Sequence, residues 1–195
     1  MPTLSELLKK MDEIKTLLMV SKDYISFMNW GIIGQKRIGP APCYSESPLP
    51  RYVKFYNRNL TREDIELNNK VTLLINQNFL VRLRSLFDYY EVLKRGYNPP
   101  NNFEGLCKDI PEWEDMWILR KLRNKFGHGP GSFDISDEED IELYEQIVYR
   151  YGIDRELWEE YYPDEFPLSI EKVLKPMFNN CYNYVKGLKT INGRD

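Results

Sequence analysis

The segment "RKLRNKFGH", residues 120–128, holds the only histidine in a chain of 195 residues, together with four cations. RNA can be cut without a metal when one group removes the proton of a 2′-hydroxyl and another neutralises the charge that develops on the phosphorus. A neutral imidazole suits the first task. A guanidinium, always charged and rich in donors, suits the second. His128 and Arg123 bring those two chemistries together. The surrounding bases disfavour an imidazolium, so His128 is expected to titrate low and to stay a base near neutral pH. One histidine cannot be both base and acid in a single step, whereas two copies in a dimer can.

Spacing sets a constraint. In an unbroken helix, positions 123 and 128 are rotated by about 140°, while positions 124 and 128 share a face. Gly127 is therefore expected to let the helix unwind just before His128 and redirect it.

The string "LRNKFGHG", Leu122 to Gly129, resembles the R-x(4–6)-H motif of the HEPN superfamily in its form with a polar residue after the Arg. Members are compact helical bundles, often dimeric, and many are RNases that work without a metal. The resemblance places the motif Arg on Arg123, its polar neighbour on Asn124 and the His on His128, lining a cleft shared by two protomers. "FLVRLRSLFDYYEVLKR", residues 79–95, resembles the second core helix of the family, which often offers an acid to the cleft. Asp88 and Glu91 are the candidates. The helical order extends the likeness over about residues 62–190, and the first 60 residues add nothing to it. Some members paired with a nucleotidyltransferase antitoxin carry a Tyr two residues after the His. Pro130 stands there in this chain, which argues against that mode of control.

Two further charge patterns matter. Arg84, Asp88, Glu91 and Arg95 fall on one helical stripe and read as a solvated, salt-bridged face. From Met116 to Phe133 there are four bases and no acid; from Asp134 to Tyr149 there are seven acids and no base. The plain reading is two oppositely charged helices in contact. The functional reading is an anion site, with Arg120, Lys121 and Lys125 as RNA contacts. A second basic stretch, "RYVKFYNR", residues 51–58, interleaves Arg51, Lys54 and Arg58 with Tyr52, Phe55 and Tyr56. Cations for phosphates and rings for bases are what a single-strand contact needs.

The elements that must position these groups are helical. Thr3 and Glu6 are spaced as a capping box, and apolar residues from Leu4 to Leu18 predict a helix over about 4–20, with an extension to 28 left open. Glycines and prolines between 31 and 60 predict a long irregular excursion. A helix over about 62–95 carries the stripe Val71, Leu74, Ile75, Phe79, Leu83, Leu86, Phe87, Tyr90 and Leu93. Pro111 suits the first turn of the next helix, where Trp113, Trp117, Ile118 and Leu122 face inward. Ser136 and Glu139 form a second capping box before a helix over about 137–150. "WEEYYPDEFP", residues 158–167, reads as a turn. Ile170 to Leu188 marks the final helix, with a bend at Pro176. The fold class is all-α: a HEPN-like bundle of about five helices in one domain. Residues 1–60 form the N-terminal helix and excursion, and 61–190 the core.

Composition limits the functions. Hydrophobic residues at 42% and charged residues at 29% suit a soluble globular chain. A net charge of −3 means that any anion site is local. Cys43, Cys107 and Cys181 form no C-x-x-C pair and fit a reducing cytoplasm. One histidine and no cysteine cluster argue against zinc, and no metal or cofactor is implied. No signal peptide or membrane span is evident. The leading expectation is a metal-independent endoribonuclease of toxin or phage-defence type. Its implied partners are RNA, a second copy of the chain and, for a toxin, an antitoxin protein. The alternative is a non-catalytic HEPN-like module that binds a nucleotide or a protein. A helical scaffold without an anion site comes third.

Overall fold

The first helix, α1, spans Leu4–Ile33 in a computed structural model that describes residues 3–33, 62–90, 92, 102–103, 105–128, 132–161 and 165–192. The expected capping box opens it. The Glu6 N–H donates to Thr3 Oγ1 at 3.1 Å, and the Thr3 N–H donates to Glu6 Oε2 at 2.8 Å. Leu4, Leu7, Met11 and Leu18 are buried at helical spacing. The helix is longer than expected and passes through Gly31. A single glycine costs a helix only about 1 kcal/mol relative to alanine, and no proline intervenes before Pro40. The rest of the expected excursion lies outside the described residues.

Helix α2, Arg62–Tyr89, buries Asn76, Phe79, Leu80, Leu83, Arg84 and Phe87. Leu74 was expected on this stripe but is 63% exposed. It sits two residues before Asn76, about 160° around the helix from the buried face. A short antiparallel ribbon follows, β1 (Asn102–Phe103) and β2 (Leu106–Cys107), paired Asn102 to Cys107 and Phe103 to Leu106. Gly105 takes φ 85° at its turn, a conformation that L side chains resist.

Helix α3, Trp113–His128, carries the motif. Pro111 lies two residues before its start and not in its first turn; the Trp113 N–H instead bonds back to the Ile110 carbonyl at 3.1 Å. Met116, Trp117, Ile118, Leu119 and Leu122 are buried, and Trp113 is half-buried. Helix α4 spans Glu138–Tyr151 and is capped by Asp137, whose carboxylate accepts from the Glu139 N–H at 2.9 Å. Ser136, the expected cap, is engaged elsewhere: its N–H and hydroxyl both donate to Asp134 Oδ1, at 2.8 and 2.7 Å.

The segment read as a turn from residue 158 begins inside a helix, α5, Arg155–Tyr161. An Arg155–Glu159 pair at 2.8 Å supports it, and the Trp158 indole N–H donates to the Glu165 carbonyl at 3.0 Å. The last helix, α6, spans Lys175–Asn192 and is preceded by one π-helical turn, Ile170–Leu174. Pro176 has no N–H to return to the carbonyl four residues back, and its ring crowds that carbonyl. The wider turn ends at Leu174, two residues before it, close to where the sequence pointed to a bend.

Met177, Phe178, Cys181, Tyr184, Val185 and Leu188 form the inner face of α6, which packs on α1 and α3, while α2 packs on α1 and α3. The result is an all-α bundle. Gly187 admits the Ile110 side chain so closely that a Cβ there would lie 3.1–3.3 Å from three of its carbons. The Tyr184 hydroxyl accepts from the Cys107 N–H at 2.8 Å, and burial holds that phenol up at about 12. No helix among the described residues is long and apolar enough to cross a membrane.

Candidate functional site

The motif lies on the last turns of α3, which stays α-helical through residue 128. The unwinding expected at Gly127 does not occur, because glycine permits a break without enforcing one. Positions 123 and 128 of one chain therefore remain about 140° apart around the helix. The side chain of His128 lies outside the described residues.

Arg123 is half-buried. Its Nη1 donates to Asn124 Oδ1 at 3.3 Å, so the two adjacent motif residues hold each other. Its Cδ, Nε and Cζ atoms lie 3.9–4.0 Å from the point where a Cβ on Gly127 would stand. The guanidinium thus runs one turn along α3 over the bare backbone of Gly127.

Arg120, Lys121, Asn124 and Lys125 line an open groove of about 310 Å³, closed on its other side by Glu139 and Leu143 of α4. The groove brings together four of the residues expected at the site. Lys125 is committed within it. Its ammonium lies 2.9 Å from Asp137 Oδ2 and pairs also with Asp140, which is 1% exposed. The hydrogen bond to Asp140 is the main cause that raises the Lys125 pKa. Lys121 is more loosely held, 3.8 Å from Glu139 and 5.3 Å above the Trp117 ring. The basic helix and the acidic helix are therefore in contact along one edge, as the charge blocks suggest.

On the neighbouring helix, Asp88 is half-exposed and its Oδ1 accepts from Arg84 Nη2 at 2.8 Å. Arg84 was read as part of a solvated face but is only 5% exposed. Its position explains this: residue 84 lies four after Leu80 and three before Phe87, on the buried stripe itself. Its Nη1 is buried and has no hydrogen-bond partner among the described residues. Burial lowers the Arg84 pKa; Arg120 and Arg123 act in the same direction, against Asp88. Glu91, Arg51, Lys54 and Arg58 lie outside the described residues.

Sequence reasoning missed a buried hub behind the motif. Asp115 is fully buried and accepts from Arg150 Nη2 at 2.6 Å, from the Tyr151 hydroxyl at 2.5 Å and from Asn180 Nδ2 at 3.0 Å. Burial and the Asp115 charge hold the Tyr151 phenol far above its ordinary value. The same two causes raise the Cys181 thiol, which leaves it an inert packing group. The hub joins α3, α4 and α6 and gives the motif helix a fixed seat. The only advance signal was an acid among the inward-facing residues of the first turn of α3.

No family model matches the chain, and no curated protein and no solved structure does so either.

Proposed function

We propose that the chain is a metal-independent endoribonuclease of toxin or phage-defence type, on a HEPN-like helical domain. In this reading His128 removes the 2′-hydroxyl proton, and Arg123 stabilises the charge on the phosphorus. The observation that carries it is the clustering of Arg120, Lys121, Asn124 and Lys125 around an open groove on the motif helix, with Arg123 seated beside Asn124. That edge can receive a phosphate backbone while the buried face of α3 stays in the core.

The continuity of α3 shapes the mechanism. Positions 123 and 128 of one chain stand about 140° apart around the helix, so the reading calls for a second copy that brings its own motif helix to the site. A symmetric pair also supplies the second imidazole that acts as the acid.

The same continuity favours one other reading, a module that holds an RNA or nucleotide phosphate without cutting it. Incubation of RNA in EDTA with wild type and with His128→Ala separates the two. Cleavage by wild type alone, leaving 2′,3′-cyclic phosphate and 5′-hydroxyl ends, supports the nuclease. Binding without cleavage by either supports the module, and equal cleavage by both removes His128 from the chemistry.

A further inference from the structure

The groove beside the motif helix has walls of opposite character. Arg120, Lys121, Asn124 and Lys125 of α3 stand on one side, and Glu139 and Leu143 of α4 on the other. Lys125 is held by Asp137 and Asp140. Lys121 and Glu139 are only loosely joined: they lie 3.8 Å apart, beyond hydrogen-bond distance, and the Glu139 side chain is 78% exposed. Such a pair contributes little to folding and separates readily. A carboxylate at this place works against a groove that serves phosphate alone, since it repels the anion that Lys121 attracts. It suits a ligand that carries an anionic group and N–H donors together, as a nucleotide does. The volume of about 310 Å³ is at the small end of ligand sites, enough for a single base and not for a duplex. Among the four RNA bases, only guanine offers two adjacent donors, N1–H and the N2 amino group, that one carboxylate can accept together. Adenine and cytosine set a ring acceptor beside their amino group, and uracil flanks its N–H with two carbonyls. Each would bring a lone pair against the carboxylate.

We propose that the groove takes a guanine base of the bound RNA and that Glu139 reads it, accepting N1–H and N2–H on its two oxygens. The choice of base rests on Glu139; that the base belongs to an RNA strand rests on the function proposed above. Asn124 supports the same choice. Its Oδ1 accepts from Arg123 Nη1 at 3.3 Å, so the other end of the amide is a donor, the polarity that guanine O6 requires. Lys121, released from Glu139 when the base arrives, pairs with the adjoining phosphate. Leu143, four residues after Glu139 on the same face of α4 and 2% exposed, gives the base an apolar wall. Glu139 thus selects which nucleotide lies next to the motif and takes no part in bond breaking.

The test measures binding of three 2′-O-methyl RNA hexamers, which lack the hydroxyl needed for cleavage and differ at one place: guanosine, inosine or adenosine. Wild type should bind the guanosine strand about tenfold to a hundredfold more tightly than the adenosine strand, the range for a bidentate base contact. Inosine keeps N1–H and lacks the N2 amino group, so its strand should fall between. Glu139→Gln keeps the shape and removes the paired acceptors. It should abolish the guanosine preference and, having lost a charge that repels phosphate, bind the adenosine strand no more weakly than wild type. Lys121→Met should weaken all three strands by the same factor and reduce the slope of log affinity on log salt by about one. If Glu139→Gln raises affinity for all three strands equally and keeps the preference, Glu139 is only a charge on the rim and the proposal falls. Equal binding of the three strands by wild type overturns it without any variant, which covers a variant that does not fold. Cleavage of unmodified RNA by wild type in EDTA, with no guanosine preference in binding, removes the Glu139 assignment and leaves the nuclease. A guanosine preference that Glu139→Gln abolishes, without any cleavage by wild type, removes the nuclease and leaves the base site.

Discussion

Lys125 on the motif helix and Asp140 on the following helix form an ion pair in which the lysine is 30% exposed and the carboxylate 1%. Asp140 also accepts the Asp134 N–H at 3.1 Å, so the pair fixes both α3 and the loop that enters α4. Removing the lysine would strand a buried carboxylate. Lys125→Met is expected to cost about 3 kcal/mol, the lower end for a broken buried pair because the lysine keeps partial contact with water. Urea denaturation checks this; a change under 1 kcal/mol would show that the pair is solvated in practice.

Stability should fall at both ends of the pH scale, for different reasons. The Asp137 carboxyl is held below its ordinary 3.8, first by the hydrogen bond from Lys125, and Asp134 is held low by Ser136. A lowered folded pKa contributes stability that is complete above the ordinary value and lost as pH falls through the folded one. Lys125 is held above its ordinary 10.5, so its contribution is complete below that value and lost as pH rises through the folded one. Melting temperature against pH should show a plateau from about pH 5 to pH 10. Asp137→Asn should flatten the acid limb, and an acid limb unaltered by that change would assign it to other carboxyls.

Gly187 is where α6 meets Ile110. A methyl group there would lie 3.1–3.3 Å from Ile110, tighter than packed carbons tolerate, so Gly187→Ala is expected to destabilise the fold by about 1–3 kcal/mol. Ile110→Val shortens the opposing side chain. The double variant should recover part of the loss, and the non-additivity is the measurement that matters. Strictly additive effects would place the strain elsewhere.

Activity should depend on protein concentration. If two motif helices meet to complete one site, specific activity in EDTA should drop when the protein is diluted below its dimer dissociation constant, and sedimentation should show the dimer above it. His128→Ala is expected to lower cleavage by about 10²–10⁴-fold, and Arg123→Lys should rescue little of the loss caused by Arg123→Ala. Specific activity that stays constant while the chain sediments as a monomer would rule out the shared site.

Local rules were legible in the sequence, and long-range ones were not. The Thr3–Glu6 box involves residues three apart and formed as its spacing implies. The spacing of the apolar residues located α2, α3, α4 and α6 to within a few residues, with α2 described only to Tyr89. The cap of α4 shifted by one residue because Asp134 competes for Ser136. The ribbon at residues 102–107 has strands of two residues, too short for any alternation to show. Arg84 was misread because its residue type outweighed its position between Leu80 and Phe87. The adjacency of Arg123 and Asn124 could be read directly. Which cations stay available and which are consumed by α4 could not, since that depends on Asp137 and Asp140 arriving from another helix.

The Asp115 hub has a consequence for how the chain acquires its structure. Its hydrogen bonds span 35, 36 and 65 residues, so none can form until α4 and then α6 have been brought back to α3. Such long closures come late, after local helices have formed. Contacts absent from the folding transition state act on escape from the native basin and hardly on entry to it. Weakening the hub should therefore shorten the lifetime of the folded molecule while leaving its refolding rate almost unaltered, so the seat of the motif helix sets how long the protein persists once made.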